Sequence, residues 1–233
     1  SALPPAPPSG PSAPAPPAPA TPPSAGRGAL LVAAGILASR LVGLVRQRVV
    51  AHYLGTSIAA DALTAAFRIG NLTQNLLGEG ALSASFVPVY AKLRSRDAGL
   101  ATRFARATLG GLIVVTVALT ALGVAFAPLL AGLVAAGFDA ERKALTVELL
   151  RVLFPMTGVL VVGAWALGVL TSHRRFLLPY LAPVVWSLAQ IGALLWAAQR
   201  VGATQIDLAH AVAWGALAGA GLQLLVMLLP VRR

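Results

Sequence analysis

The sequence predicts an all-α polytopic membrane protein: six transmembrane helices forming one bundle behind a disordered N-terminal tail. Three observations carry that expectation. Hydrophobic residues make up 58% of the chain and charged residues 11%, with a mean hydropathy of +0.81, whereas a soluble chain carries about 25% charge. The apolar residues fall into blocks of about 20 or more, which at a rise of about 1.5 Å per residue cross the bilayer core. The basic residues between those blocks gather in alternate loops, as the positive-inside bias requires.

Residues 1–26 are almost entirely Pro, Ala, Ser, Gly and Thr and hold 11 of the 17 prolines. Such a stretch has too little apolar surface to bury and is expected to stay disordered with polyproline II bias, as a cytoplasmic tail ahead of a membrane lobe over 27–233. It does not read as a signal peptide, since no charged region leads directly into a short apolar run with a cleavage site. The spans are expected at about 29–54, 58–91, 105–135, 146–171, 177–199 and 206–230. Asp61, Arg68, Asn71, Gln74, Asn75 and Glu79 interrupt the second. It is kept because losing it would put the basic loops on opposite sides.

With six spans, Arg27, the segment from Lys92 through Arg94, Arg96, Arg103 and Arg106, Arg174–Arg175 and Arg232–Arg233 share one side. They hold 10 of the 18 basic residues and one acid, Asp97. The other loops hold Arg142, Lys143 and Arg200 against Asp139, Glu141 and Asp207. Lys and Arg accumulate on the cytoplasmic side, so both ends of the segment are expected there.

Arg40, Arg46, Arg48, Arg68 and Arg151 remain within or at the edges of spans. Arg151 shares a helical face with Glu148 and suits a helix-end ion pair, and Arg48 is near enough to an edge to snorkel. Arg40, Arg46 and Arg68 are deeper. An arginine at the bilayer centre costs from about 2.5 to about 17 kcal/mol, depending on the measurement. Two accounts offset that cost: a structural pair with Asp61 or Glu79, or a cavity that takes an anionic ligand. The ligand account is preferred.

Arg40 and Arg46 are about 240° out of phase on a straight helix. A bend at Gly43 would let both reach one cavity; otherwise they face different neighbours. Gly78 and Gly80 flank Glu79, and Pro88 follows, the pattern of a broken helix lining water or protein. Pro155, Pro179 and Pro183 offer kinks in spans four and five. The small-residue run from Ala211 to Ala220 and the pair Gly110–Gly111 suit close helix packing.

Much is excluded. The chain has no cysteine and three histidines without metal-like neighbours, and no P-loop, His-Glu-x-x-His or Gly-x-Ser-x-Gly motif occurs. Seven acids leave little material for acid–base chemistry or a hard-metal cage, so no cofactor and no enzyme activity are expected. A Na⁺ site of carbonyls and hydroxyls leaves no mark in sequence, so the coupling ion stays open. The net charge of +11 would suggest nucleic acid only if the arginines formed one exposed patch; lying between and within apolar helices, they do not.

Ser39-Arg40-Leu-Val-Gly43-Leu-Val-Arg46 resembles the first-helix signature of the MurJ (MviN) lipid II flippases, of the MOP exporter superfamily. Gly55, Asp61-Ala62, Ala66-Phe67-Arg68 and Asn71-Leu72 continue the resemblance. So do the run from Glu79 and Gly80 to Val89 and the run from Leu149 to Pro155, then Phe176, Pro179 and Pro183. The match covers roughly 28–230. It implies two six-helix lobes around a central cavity, of which this chain resembles the first, so that a C-terminal lobe is missing and the sequence is partial.

The resemblance also implies movement of lipid II, the undecaprenyl-pyrophosphate-linked peptidoglycan precursor, across the bacterial inner membrane, in service of cell-wall biogenesis and cell shape. Arg40 and Arg46 match the family's cavity arginines, and Asp61 and Glu79 its second-helix acids. The expected substrate site is Arg40, Arg46 and Arg68, with Ser39, Asp61, Asn71 and Glu79 as polar or gating residues and Gly43, Gly78, Gly80 and Pro88 as hinges. Two departures weaken the match: Gln47 stands where an acid commonly follows the second arginine, and Gln74 and Asn75 stand where many members are basic. Another exporter of the superfamily, for polysaccharide lipids or cationic drugs, and a scaffold docking through its proline-rich tail are the alternatives.

Overall fold

The computed structural model describes residues 24–75, 81–173 and 177–229. Most of the tail, and Gly78, Glu79 and Gly80, lie outside the described residues. Within them the chain is helical, without strands: α1 (Ser24–Leu54), α2 (Ile58–Gln74), α3 (Ala81–Arg96), α4 (Ala98–Ala125), α5 (Ala127–Val134), α6 (Ala140–Ser172), α7 (Leu177–Ala198) and α8 (Gln205–Leu228).

Short polar side chains start the helices by accepting bonds from backbone N–H groups that lack an intrahelical partner. Ser57 accepts from Ala60 N at 3.2 Å, Asp97 from Gly99 N at 2.7 Å and Asp139 from Arg142 N at 2.8 Å. Thr204 and Asp207 form a reciprocal capping box on α8. Gly55, at φ +55°, makes the turn between α1 and α2 in the left-handed region.

α1 is helical from Ser24, the first described residue. Of the expected second span, α2 and α3 are described, and residues 76–80 between them lie outside the described residues. The expected third span is divided into α4 and the short α5, where Pro128 in the first turn suits a helix start and not a continuation. Pro88, Pro155 and Pro183 each sit inside a helix that continues through them.

α6 is the central element, with buried residues along nearly its whole length. The main core joins Leu149, Leu150, Leu153 and Met156 of α6 to Leu63 and Ala66 of α2 and to Ala209, Val212 and Ala213 of α8. A second cluster joins Phe86 and Tyr90 of α3 to Trp165 and Ala166 of α6. α7 lies against α8 backbone to backbone: a Cβ on Gly219 would be 2.9 Å from Trp186 O, and one on Gly215 3.1 Å from Gln190 Cα. The small residues of that run thus do what the sequence expects of them.

α2 and α3 together run alongside α6. At one end Asp61 pairs with Arg142 at 3.4 Å; at the other the Arg94 guanidinium donates to Ser172 O. From Arg142 to Ser172, α6 rises about 45 Å, enough for core and headgroups of a bilayer. By length and composition alone, α4, α6, α8 and the 181–198 stretch of α7 qualify as membrane spans. α2 and α3, of 17 and 16 residues, are each short. The expected face-sharing of Glu148 with Arg151 gives way to another partner: Glu148 Oε2 lies 3.4 Å from His210 Nε2 of α8, and Arg151 is exposed.

The Asp61–Arg142 pair is 44% and 35% exposed at its side chains, so water screens it. Asp61→Asn is expected to lower stability by no more than about 1 kcal/mol, read as a small fall in thermal unfolding temperature in detergent.

Candidate functional site

α1 and α2 meet at the Gly55 turn. Arg46 lies about 12 Å and Arg68 about 15 Å along their helices from that turn. They line one cavity of about 860 Å³ together with Gln47, Thr64, Asn71 and Asn75 and with Trp186 and Gln190 of α7, over an apolar wall that includes Leu63, Phe67 and Val212.

Arg46 is held by neutral groups. Its Nη1 donates to Gln190 Oε1 at 3.4 Å, and its Cζ sits 4.8 Å from the centre of the Trp186 ring, where the negative face of an indole attracts a cation. That platform is itself fixed: Trp186 Nε1 donates to Ala216 O of α8 at 3.0 Å, Gln190 Nε2 to Trp186 O at 3.3 Å, and Phe67 meets the indole edge-on at 6.5 Å. Gln190 is 1% exposed. Among the described residues no carboxylate pairs with Arg46 or Arg68, and none lines the cavity. Indole and amide stabilise a guanidinium without cancelling its charge, so the cavity keeps an excess of positive charge and free N–H donors.

The other expected site residues fall as follows. Asn71 lines the cavity with Arg46 and Arg68. Arg40 is exposed and does not line it. Seven residues from Gln47, Arg40 is on nearly the same face of α1 about 10 Å further along, a continuation of the cavity stripe. α1 is helical through Gly43. Ser39 is half-buried outside the cavity lining. Asp61 is engaged with Arg142 at the α2 start. Pro88 is exposed within α3. Gly78, Glu79 and Gly80 lie outside the described residues. No cluster of three or more metal-ligating side chains occurs among the described residues.

Trp186 and Gln190 are the site residues that sequence reasoning missed. Their signal was a glutamine inside an apolar block with a tryptophan one turn earlier on the same face.

The described family "Lipid II flippase MurJ" matches residues 50–233. A probable lipid II flippase MurJ of Rhizobium tropici is 36% identical over 207 residues, covering 87% of this chain and 39% of the relative. Lipid II flippase MurJ of Burkholderia cenocepacia is 33% identical over 205 residues, with the same coverage of 87% and 39%. The solved structure "Lipid II flippase MurJ, inward closed conformation" superposes with a TM-score of 0.72 at 25% identity, over 85% of this chain and 41% of that one. The chain therefore spans about two fifths of the length of these relatives. Matched by the family over most of its residues, and by these relatives and this fold over nearly all of its helical part, this multi-pass membrane chain belongs to the MurJ lipid II flippase family.

Proposed function

We propose that the chain forms the first lobe of a lipid II flippase in the bacterial inner membrane, a transporter and not a catalyst. The observation that carries this is a cavity lined by Arg46 and Arg68 with no acid among its lining residues; with the Gly55 turn at one membrane face, both arginines would lie about halfway through a core of about 30 Å. A pyrophosphate headgroup will not cross hydrocarbon unaided, while a prenyl tail stays in lipid. Arginine meets phosphate oxygens with a planar fork of donors, which lysine lacks. Facing a C-terminal lobe, such a cavity opens to one leaflet at a time and carries the headgroup by alternating access. Six crossings with both ends cytoplasmic follow from the loop charges, α2 and α3 together making the second. Arg40, two turns along the same stripe, would extend the path, and Ser39, Asn71 and Glu79 its polar lining. Gly43, Gly78, Gly80 and Pro88 would flex as lobes rock, and Asp61 would hold the α2 end to α6.

A cationic-drug exporter needs acids in its cavity, and Asp61, the acid nearest in sequence among the described residues, is paired elsewhere. A scaffold acting through the tail should fail when residues 1–26 are deleted, whereas a flippase should not. Purified protein carrying both lobes should bind an undecaprenyl-pyrophosphate precursor and not an organic cation. Arg68→Gln should weaken that binding about tenfold, the value of one charge-assisted contact. Binding of the cation, or unchanged affinity in the variant, would contradict the reading.

A further inference from the structure

A second cavity, of about 540 Å³, opens at the loop end of the α7–α8 hairpin and shares no lining residue with the first. Two stripes form it. On α7 these are Ala193, Trp196 and Ala197, leading to Arg200; on α8 they are Asp207, His210, Ala211 and Trp214. Both follow the three-and-four spacing of a single helical face. The result is graded: small apolar residues make the floor, two largely exposed indoles stand on either side, and charged groups sit at the mouth.

The mouth groups are not equally free. Asp207 Oδ2 accepts from Thr204 N at 2.9 Å and from Thr204 Oγ1 at 2.7 Å. His210 has Ile206 O at 3.0 Å on Nδ1 and Glu148 on Nε2. Arg200 lies 3.8 Å over the Trp196 ring, which occupies one face of the guanidinium and leaves its edge donors unclaimed. Among the described residues no carboxylate lies within ion-pair distance of it, and the nearby Asp207 feels its charge without bonding it.

The depth matches one class of molecule. Arg200 lies just beyond the 181–198 candidate span and Asp207 in the first turn of the 205–228 one, which would put both where the helices leave the hydrocarbon, near phosphate level. Trp214, seven residues along α8, is about 10 Å deeper, level with the first acyl carbons. Tryptophan favours that boundary, and a guanidinium suits a phosphodiester. We infer that the α7–α8 groove binds a glycerophospholipid, its phosphodiester at Arg200 and one acyl chain between Trp196 and Trp214. The site is independent of the flippase reading, and occupancy would tie the hairpin that carries Trp186 and Gln190 to the surrounding leaflet.

The test titrates purified protein carrying both lobes, in detergent, with monomeric dihexanoyl phosphatidylglycerol, and separately with glycerophosphoglycerol and with inorganic phosphate. The lipid should bind saturably at one site. Arg200→Gln, a loop variant that leaves the core untouched, should weaken it about tenfold, and Ala211→Phe, which fills the floor, should do the same at an unchanged unfolding temperature. Arg46→Gln should leave it intact, since it touches the other cavity. Unchanged affinity in Arg200→Gln, loss of binding in Arg46→Gln, or inorganic phosphate binding as tightly as the lipid would each overturn the assignment.

Discussion

Arg46→Ala, in a protein carrying both lobes, is expected to abolish rescue of flippase-depleted cells while the protein still accumulates in the membrane. The folded state should tolerate the change. It removes a cation whose burial is costly, against which stands the loss of one 3.4 Å bond to Gln190, leaving a buried acceptor at about 1–3 kcal/mol. These terms oppose each other. Transport has no such compensation, because the guanidinium over Trp186 is one of the two arginines lining the cavity. Arg46→Lys should rescue growth only weakly: it keeps the charge but loses the fork and the stacking on the indole. Growth rate measured against membrane protein level separates failed transport from failed folding, and normal growth of the alanine variant would count against the site.

Gly219→Leu should strongly destabilise the α7–α8 contact. The first added carbon would already meet Trp186 O and Ala189 Cβ at 2.9 Å and Trp186 Cα at 3.1 Å. Most of these are backbone atoms, so the helices must part. Overpacking costs about 1–3 kcal/mol or more, and parting also stretches the bond from Trp186 Nε1 to Ala216 O that fixes the platform under Arg46. Gly221→Leu is the control, since nothing lies within 4 Å of its added carbon. Thermal unfolding in detergent should show a fall of several degrees for the first and little for the second, and only the first should lose the pyrophosphate lipid.

What the sequence disclosed follows from what an apolar chain must do. The blocks, the sorting of loop charge and the small-residue face of span six are each set by local composition. The third span's division at Phe126 came from Pro128, a signal overlooked because the surrounding residues are so apolar.

Pairings were less legible. Arg46 meets a glutamine 144 positions away, and Asp61 meets Arg142, not an arginine of its own hairpin. Composition sets depth in the membrane, but the rotation of each helix, decided by packing on α6, chooses the neighbour. Arg40 and Arg46 illustrate this: similar in sequence, one is exposed and the other held over an indole.

The central claim is that positive charge is kept at bilayer depth for an anion to pass. The chain contains no cysteine, so Asn71→Cys, in a both-lobe protein whose other cysteines are removed, places one thiol in the cavity and leaves both arginines in place. Its labelling rate should be about tenfold faster with an anionic thiosulfonate reagent than with a cationic one of equal size, and the pyrophosphate lipid should block it. A thiol that neither reagent reaches, or that both label equally with and without the lipid, would contradict the account.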